Sequence, residues 1–329
     1  MNNTHIRKVI KFATLTTACS LLLGCQQASD NQAANSSQTS NSEATQGAVF
    51  FDDFSYSNLN EFYANNWNVR TETGHPGIKG AAWSADGIDF HDNVKGSQNG
   101  ILRMTSLTGG KGENTRHTQI CHQRKYLEGT YAARVFFRDE PTKGPDGDEV
   151  IQTFYAISPL KAPMDPDYSE TDFEYLPNGG WGHGRDSAMW STTWETFQLE
   201  PWTKVNEYTR KPGSYAGWRT LVLTVADNKA TYYVDGELLS VHSEKVAPEV
   251  HMSMNFNLWF MPKGADDSNG PIDSPLIREY EQDIDWVFHQ QGVVLNTDEV
   301  LAKVKGMRSS NTKHVDLVPS QNLASYCGL

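Results

Sequence analysis

Three acidic residues at alternating positions are the part of the sequence best suited to chemistry. They are Glu170, Asp172 and Glu174, within the segment SETDFEYL. Because successive side chains of a β-strand point to opposite faces, the three carboxylates would share one face and leave Phe173 and Tyr175 for a core. Like charges side by side on a strand are costly unless they are used or screened. The segment therefore predicts a site rather than a plain structural strand.

The spacing of the two glutamates suits acid–base work on a glycosidic bond. Four residues of strand separate their Cα atoms by roughly 13 Å, and converging side chains of about 4 Å each leave a gap of about 5 Å. Retaining glycosidases hold a nucleophile and an acid/base about 5–5.5 Å apart. Asp172 would raise the pKa of a neighbour by repulsion and keep an acid protonated near neutral pH. A solvated strand face or a calcium site would explain the same pattern.

The same segment resembles the E-x-D-x-E active-site strand of glycoside hydrolase family 16, the family of lichenases, laminarinases, agarases and xyloglucan transglycosylases. Further blocks are similar to that family in the same order along the chain: Gly129–Val135, Tyr233–Gly236, Asn257–Trp259 and Asp285–Val287. The resemblance covers about residues 49–290. It implies a jelly-roll sandwich with an open concave cleft, in which Glu170 is the nucleophile, Glu174 the acid/base and Asp172 a modulator.

The pattern of the chain independently favours an all-β sandwich of two antiparallel sheets. Short β-rich runs alternate with clusters of Gly, Pro, Asp and Asn. The predicted strands are Ile101–Leu107, Thr130–Phe137, Val150–Ile157, Ser169–Leu176, Trp218–Val225, Ala230–Val234, Met252–Phe260 and Asp283–His289. One helix is predicted over Thr297–Lys305, with Thr297 as N-cap, in a tail outside the sandwich. Many strands with one late helix are typical of packed antiparallel sheets.

Alternation on a later strand predicts a surface that binds sugars. Asn255, Asn257 and Trp259 share one face, and the apolar residues between them take the other. Amides can bond sugar hydroxyls, and an aromatic ring suits the C–H face of a sugar. We therefore expect these three residues to contact substrate, with core packing as the alternative for Trp259.

Two further tryptophans and one arginine are candidate binding residues. Trp190 and Trp194 alternate on the strand after the acidic motif, where substrate contact and core packing are both open. Arg134 is expected to orient a carboxylate or a substrate group, and a surface salt bridge is the alternative.

The first 47 residues predict an export signal and a tether. Basic Arg7, Lys8 and Lys11 precede a short apolar stretch that ends in LLGC, which resembles a bacterial lipobox. The expected order is a signal peptide (1–24), a disordered tether beginning at lipidated Cys25 (25–47), a catalytic domain (48–290) and a C-terminal extension (291–329). Gln26 implies outer-membrane sorting in a Gram-negative host, on either face. An ordinary signal peptide is the alternative.

Composition excludes several other classes of function. The chain has 329 residues with a net charge of −12 and no basic runs, which disfavours nucleic acid. No apolar run is long enough to span a bilayer, so membrane contact is expected only through the lipid. Four cysteines are too few for a disulfide scaffold. Cys121 and Cys327 are either bridged or free thiols.

Metal chemistry has little support in the sequence. The histidines form no zinc motif, and no cofactor is expected. The acidic segments 146–149 and 266–267 could hold a structural calcium ion, although turn chemistry explains them equally well. A monomeric protein that acts on a polysaccharide is expected.

These observations lead to one expected function and two alternatives. The expected function is a retaining endo-glycosidase that cuts a β-linked polysaccharide, which is a β-1,3 glucan, a mixed-linkage β-1,3-1,4 glucan or a marine galactan. The alternatives are a non-catalytic carbohydrate-binding protein on the same fold and a transglycosylase.

Overall fold

The computed structural model describes residues 47–263, 270 and 272–327, so Cys25 and Asp266–Asp267 lie outside the described residues. Its strands are β1 (Val49–Asp52), β2 (Asn68–Val69), β3 (Ala82–Trp83), β4 (Ile88–His91), β5 (Ile101–Thr108), β6 (Thr115–Cys121), β7 (Gly129–Phe137), β8 (Val150–Ile157), β9 (Glu170–Leu176), β10 (Ala188–Gln198), β11 (Thr203–Pro212), β12 (Gly217–Ala226), β13 (Lys229–Val234), β14 (Glu237–His242), β15 (Ser253–Phe260), β16 (Arg278–Gln291) and β17 (His314–Asp316). The α-helices are α1 (Leu59–Ala64) and α2 (Thr297–Ser309).

The strands form two antiparallel layers. The front sheet has the order β6-β15-β8-β9-β10-β11. The back sheet has the order β5-β16-β7-β12-β13-β14, with β1 and β17 beside the far half of β16. A short pairing of β5 with β6 joins the layers at one edge. The eight predicted strands are all present, and the all-β fold class is confirmed.

The core lies between the two sheets and is rich in aromatic side chains. From the front sheet, Phe154, Phe173 and Phe256 are buried there, and they meet Leu221 and Leu223 of the back sheet in one apolar cluster. The prediction that Phe173 takes the core face is therefore confirmed. With that side fixed in the core, the acidic residues of β9 must point away from it.

Helix α2 begins at Thr297 as predicted, but its N-cap residue and its C-terminal end differ from the prediction. It begins one residue after Asn296, which is the N-cap: the Asn296 side chain accepts from the backbone of Glu299, and Glu299 bonds back to Asn296. The helix also runs on to Ser309. Asn296 is the N-cap instead of Thr297 because its reciprocal hydrogen bonds with Glu299 satisfy two free backbone N–H groups at once.

The segment after residue 291 is packed against the sandwich instead of forming a separate tail. Val300 and Val304 of α2 are buried against Phe51, Trp286 and Phe288 on the outer face of the back sheet. Strand β17 then pairs with β1. Among the described residues, no helix is long and apolar enough to cross a membrane.

Candidate active site

A cavity of about 500 Å³ opens on the outer face of the front sheet. The side chains of β9 that line it are Glu170, Asp172 and Glu174. Strand pairing extends each of them into a cross-strand row. Glu170 lies opposite Trp194, Asp172 lies between Tyr155 and Thr192, and Glu174 lies between Thr153 and Trp190. Because directly paired residues share a face, the cavity runs across the strands.

Glu170 is enclosed and hydrogen-bonded. It is 8% exposed, and the Tyr168 hydroxyl donates to its Oε2 at 2.6 Å. Burial raises the pKa of Glu170 to about 7, because the anion has lost water, while the hydrogen bonds from Tyr168 and Asp172 hold the rise back. Tyr168 precedes Glu170 by two residues and lies just before β9, so the alternation of the strand did not reveal its role.

Asp172 is the most strongly perturbed of the three acids. It is buried, and the indole Nε1 of Trp194 donates to its Oδ2 at 3.1 Å. Burial raises the pKa of Asp172 well above its ordinary value, and the charges of Glu170 and Glu174 on either side add to the rise. The raised pKa favours the protonated form of Asp172, which can donate a hydrogen bond to Glu170.

Glu174 lies at the more open end of the strand. It is partly exposed, and its polar contact is a long one of 3.4 Å from the Thr192 hydroxyl to Oε2. Burial raises the pKa of Glu174 to about 8, and repulsion from Glu170 contributes. Because an ionised Glu170 repels a second charge, the strand favours one ionised and one protonated glutamate, which is the pairing that a nucleophile and an acid require.

Four of the predicted binding residues line the cavity: Asn257, Trp259, Trp190 and Trp194. Asn257 is oriented by Thr153, whose hydroxyl donates to its Oδ1 at 2.8 Å. Trp259 is 9% exposed and packs in an apolar cluster with Trp83 and Trp190, so it contributes to the cavity wall and to packing.

Two predicted binding residues are not in the cavity. Asn255 has the expected face, but it is 0% exposed and does not line the cavity. Arg134 lies on β7 in the back sheet, where it bonds Asp285 at 2.6 Å and stacks on Trp218. Arg134 therefore forms a salt bridge, which was the alternative to substrate binding, because its strand belongs to the back sheet and not to the sheet that carries the cavity.

The sequence analysis missed most of the wall formed by β11 and the loop before β10. Lys204 and Tyr208 of β11 line the cavity, as do Trp202 just before that strand and Trp181 and His183 of the loop before β10. Strand β11 is mostly polar and pairs along one edge with β10, so it has no apolar run to reveal it. The alternation Trp202–Lys204–Asn206–Tyr208 was the available signal, since all of these side chains face the cavity.

The acids considered for calcium already have partners in the described chain. Asp148 is fully buried and accepts two hydrogen bonds from Arg278, at 2.8 and 2.9 Å. Asp146 accepts from Asn178 and from Tyr280. Among the described residues, no group of three or more His, Cys, Asp or Glu side chains is arranged to hold a metal ion.

Comparison with solved structures identifies the fold. The chain is similar to the β-glucanase of Bacillus licheniformis, with a TM-score of 0.52 and 16% identity over 74% of this chain and 99% of that one. It is similar to a glycoside hydrolase family 16 endo-glucanase from Bacteroides ovatus, with a TM-score of 0.53 and 16% identity over 72% and 98%.

A third similar structure is the κ-carrageenase of Pseudoalteromonas carrageenovora in complex with an oligotetrasaccharide of κ-carrageenan, with a TM-score of 0.51 and 14% identity over 76% of this chain and 94% of that one. No protein-family model matches the chain, and no curated protein matches it by sequence. At these identities the likeness establishes the sandwich fold that these enzymes share.

Proposed function

We propose that this protein is a glycoside hydrolase that cuts a β-linked polysaccharide with retention of anomeric configuration. The observation that carries the proposal is the pairing of Glu170 and Glu174 on one strand face inside a cavity, with pKa values raised to about 7 and about 8. Such perturbed carboxyls in a cleft are typical of catalytic sites. The fold of the chain that carries these carboxyls is similar to that of glucanases and a carrageenase.

The reaction would proceed in two displacements. Glu170, the residue with hydrogen-bond donors to its carboxylate, attacks the anomeric carbon while protonated Glu174 gives its proton to the departing glycosidic oxygen. This forms a glycosyl ester on Glu170. Ionised Glu174 then takes a proton from water, and the water oxygen displaces Glu170 from the sugar. Asp172, protonated, keeps its hydrogen bond to Glu170 while the charge on that group changes.

The shape of the cavity favours internal cleavage of a long chain. The front sheet has six strands, which at about 4.8 Å spacing span roughly 24 Å. Aromatic rings stand on both sides of β9, with Trp190, Trp194 and Trp202 on the β10–β11 side and Trp259 on the β15 side. A glucan or a galactan presents C–H faces to such rings and hydroxyls to Asn257.

The test is the release of reducing ends from a panel of β-1,3-glucan, mixed-linkage glucan, agarose and carrageenan. The expected result is new ends from one of these polymers, abolished in Glu170→Gln. Arg219→Gln is the matched control, because Arg219 pairs with Asp235 in the back sheet, away from the cavity, and should retain activity. Tight binding with no new ends would overturn the proposal in favour of a lectin. Elongated products would indicate a transglycosylase.

We also propose that the protein is exported and held to a membrane by a lipid on Cys25. The disulfide between Cys121 and Cys327 supports export, because such bonds persist in oxidising compartments. Cys25→Ser should move the protein from the membrane fraction to the soluble exported fraction. An unchanged membrane fraction would contradict the anchor.

A further inference from the structure

Residues 318–327, called the strap below, run across the molecule without regular secondary structure. Lys125 holds the start of the strap, donating from Nζ to the carbonyl of Val318 at 3.1 Å and to Asp316 at 2.6 Å. Near its other end, Ser253 Oγ donates to the carbonyl of Tyr326 at 3.0 Å. Cys327 is then joined by a disulfide to Cys121, 206 positions earlier.

Strand register shows that the strap lies on the same face as the carboxylates. Cys121 pairs with Asn255, Asn255 pairs with Tyr155, and Tyr155 pairs with Asp172. Directly paired residues share a face, so the disulfide leaves the front sheet on the cavity side. The bonds of Cys121 and Ser253 to the strap flank Asn255. This explains why Asn255 is fully buried although it faces the cavity side.

Tyr326 is the strap residue that packs beside the residues around the candidate nucleophile. Its ring packs on an apolar cluster that contains Tyr155, Tyr168 and Phe197. Tyr168 is the residue that donates to Glu170 at 2.6 Å. Burial raises the pKa of Tyr326, and the charge of Glu170 adds to the rise, so the two groups lie within electrostatic reach.

We propose that Tyr326, fixed by the Cys121–Cys327 disulfide, is a positioning residue for Glu170 that covers the Tyr168–Glu170 hydrogen bond and excludes water from it. The inference rests on the proposed role of Glu170 in glycoside hydrolysis. Tyr326 does not touch the reacting bond in this scheme. It fixes the ring of Tyr168, and Tyr168 in turn fixes the attacking oxygen.

Removing Tyr326 from the hydrogen bond that it covers should change the pKa of Glu170. Besides Tyr168 and Tyr326, Glu170 faces Asp172 and Glu174 of its own strand. Tyr155 of β8 and Tyr232 of β13 also sense its charge, and Arg70 lies near Tyr155 and Tyr326. Burial is the largest influence on the pKa of Glu170. Water admitted by an open strap therefore lowers the pKa of Glu170 towards its ordinary value, and this outweighs the rise from a loosened Tyr168 hydrogen bond, which is the smaller influence on that pKa.

The experiment compares four variants with the wild-type chain. Tyr326→Ala and Cys327→Ser should each lower kcat about tenfold with KM changed less than threefold, because an attacking group is misplaced while the binding surface is intact. In both variants the acidic limb of the pH profile of kcat/KM should move down by about half to one pH unit. Tyr326→Phe keeps the ring and should behave as wild type. Leu323→Ala, an exposed strap position, is the matched control.

A second measurement separates this inference from the proposed function. The pKa of the Glu170 carboxyl, followed by ¹³C NMR and assigned with Glu170→Gln, should fall in Tyr326→Ala and in Cys327→Ser whether or not a substrate is known. An unchanged Glu170 pKa and an unchanged acidic limb, in variants that only melt earlier, would overturn the positioning role. A wild-type protein that cleaves no polysaccharide would overturn the hydrolase proposal, while the NMR result still decides the role of Tyr326.

Discussion

The two ends of strand β9 offer the same side chain in two different surroundings. Glu170 is 8% exposed, and it receives a 2.6 Å hydrogen bond from Tyr168, a member of the apolar cluster that also holds Tyr155 and Phe197. Glu174, four positions along the same face, is partly exposed and has a 3.4 Å contact with Thr192. Burial raises both pKa values, to about 7 and about 8 respectively.

The difference shows how one strand can hold an ionised and a protonated carboxyl together. Enclosure alone would favour the neutral form of Glu170, because an anion without water is costly. The donors Tyr168 and Asp172 offset that cost at one end of the strand, whereas Glu174 has no comparable donor among the described residues. Hydrogen bonding thus favours the ionised form at Glu170 over that at Glu174, and each prediction below perturbs one end.

The largest expected effect follows from removing each glutamate in turn. Glu170→Ala and Glu174→Ala should both lose on the order of 10³-fold or more in kcat on the natural polysaccharide. On an aryl glycoside Glu174→Ala should be milder, because a phenolate leaves without a proton. Azide should restore Glu174→Ala with a retained β-azide product, and Glu170→Ala with the inverted α-azide. Product NMR checks this, and the opposite pattern would exchange the two roles.

The next effect concerns the hydrogen bond that distinguishes the two ends. Tyr168→Phe removes the donor to Glu170 and should lower kcat about tenfold, since a hydrogen bond to a charged group contributes about 1.5–3 kcal/mol. Without the donor the pKa of Glu170 rises, so the acidic limb of the pH profile should move up. Thr192→Val is the control at Glu174 and should change kcat less than threefold. Equal effects at the two ends would remove the contrast between them.

The register of β9 could be predicted because its two faces differ in chemistry. Acidic and apolar residues alternate there, and a buried core admits one set. The same reasoning predicted the face of Asn255 but not its burial, because the strap that covers it comes from a distant part of the sequence. Alternation determines where a side chain points, and the disulfide determines what lies above it.

Sheet membership was the other limit of the sequence analysis. Arg134 lies in the segment Gly129–Val135, which is similar to a strand of glycoside hydrolase family 16. That strand, β7, lies in the back sheet, so Arg134 cannot reach the cavity. Strand β11 was overlooked because most residues on both of its faces are polar, so it lacks the apolar run by which strands are recognised. Its aromatic residues became part of the site through pairing with β10.

Two tryptophans test whether both ends of the strand bind sugar. Trp202 is 55% exposed near the Glu170 end, and Trp259 is 9% exposed near the Glu174 end. Trp202→Ala and Trp259→Ala should each raise KM up to about tenfold, as truncated aromatic contacts cost about 1–2 kcal/mol. Only Trp259→Ala should also lower the free energy of unfolding, by about 3 kcal/mol, because it leaves a cavity. A raised KM in one variant alone would confine binding to one side of β9.

The smallest effect is on stability, and it tests the raised pKa of Glu174 without substrate. A protein with a carboxyl that binds its proton more tightly in the folded state loses stability as the pH rises. For Glu174 this loss runs from the unfolded-state pKa of about 4.5 through the folded-state pKa of about 8. Gln cannot ionise, so Glu174→Gln should be more stable than wild type at pH 9, by about 1–2 kcal/mol after allowance for partial exposure. The difference should vanish at pH 4.

Glu207→Gln is the control of opposite sign, because hydrogen bonds from Ser243 lower the pKa of Glu207. That variant should be less stable than wild type at neutral pH, and the deficit should shrink as the pH falls through the folded pKa. Thermal melts across this pH range measure both, and a Glu174→Gln melting profile parallel to wild type would mean that Glu174 is solvated like any surface acid.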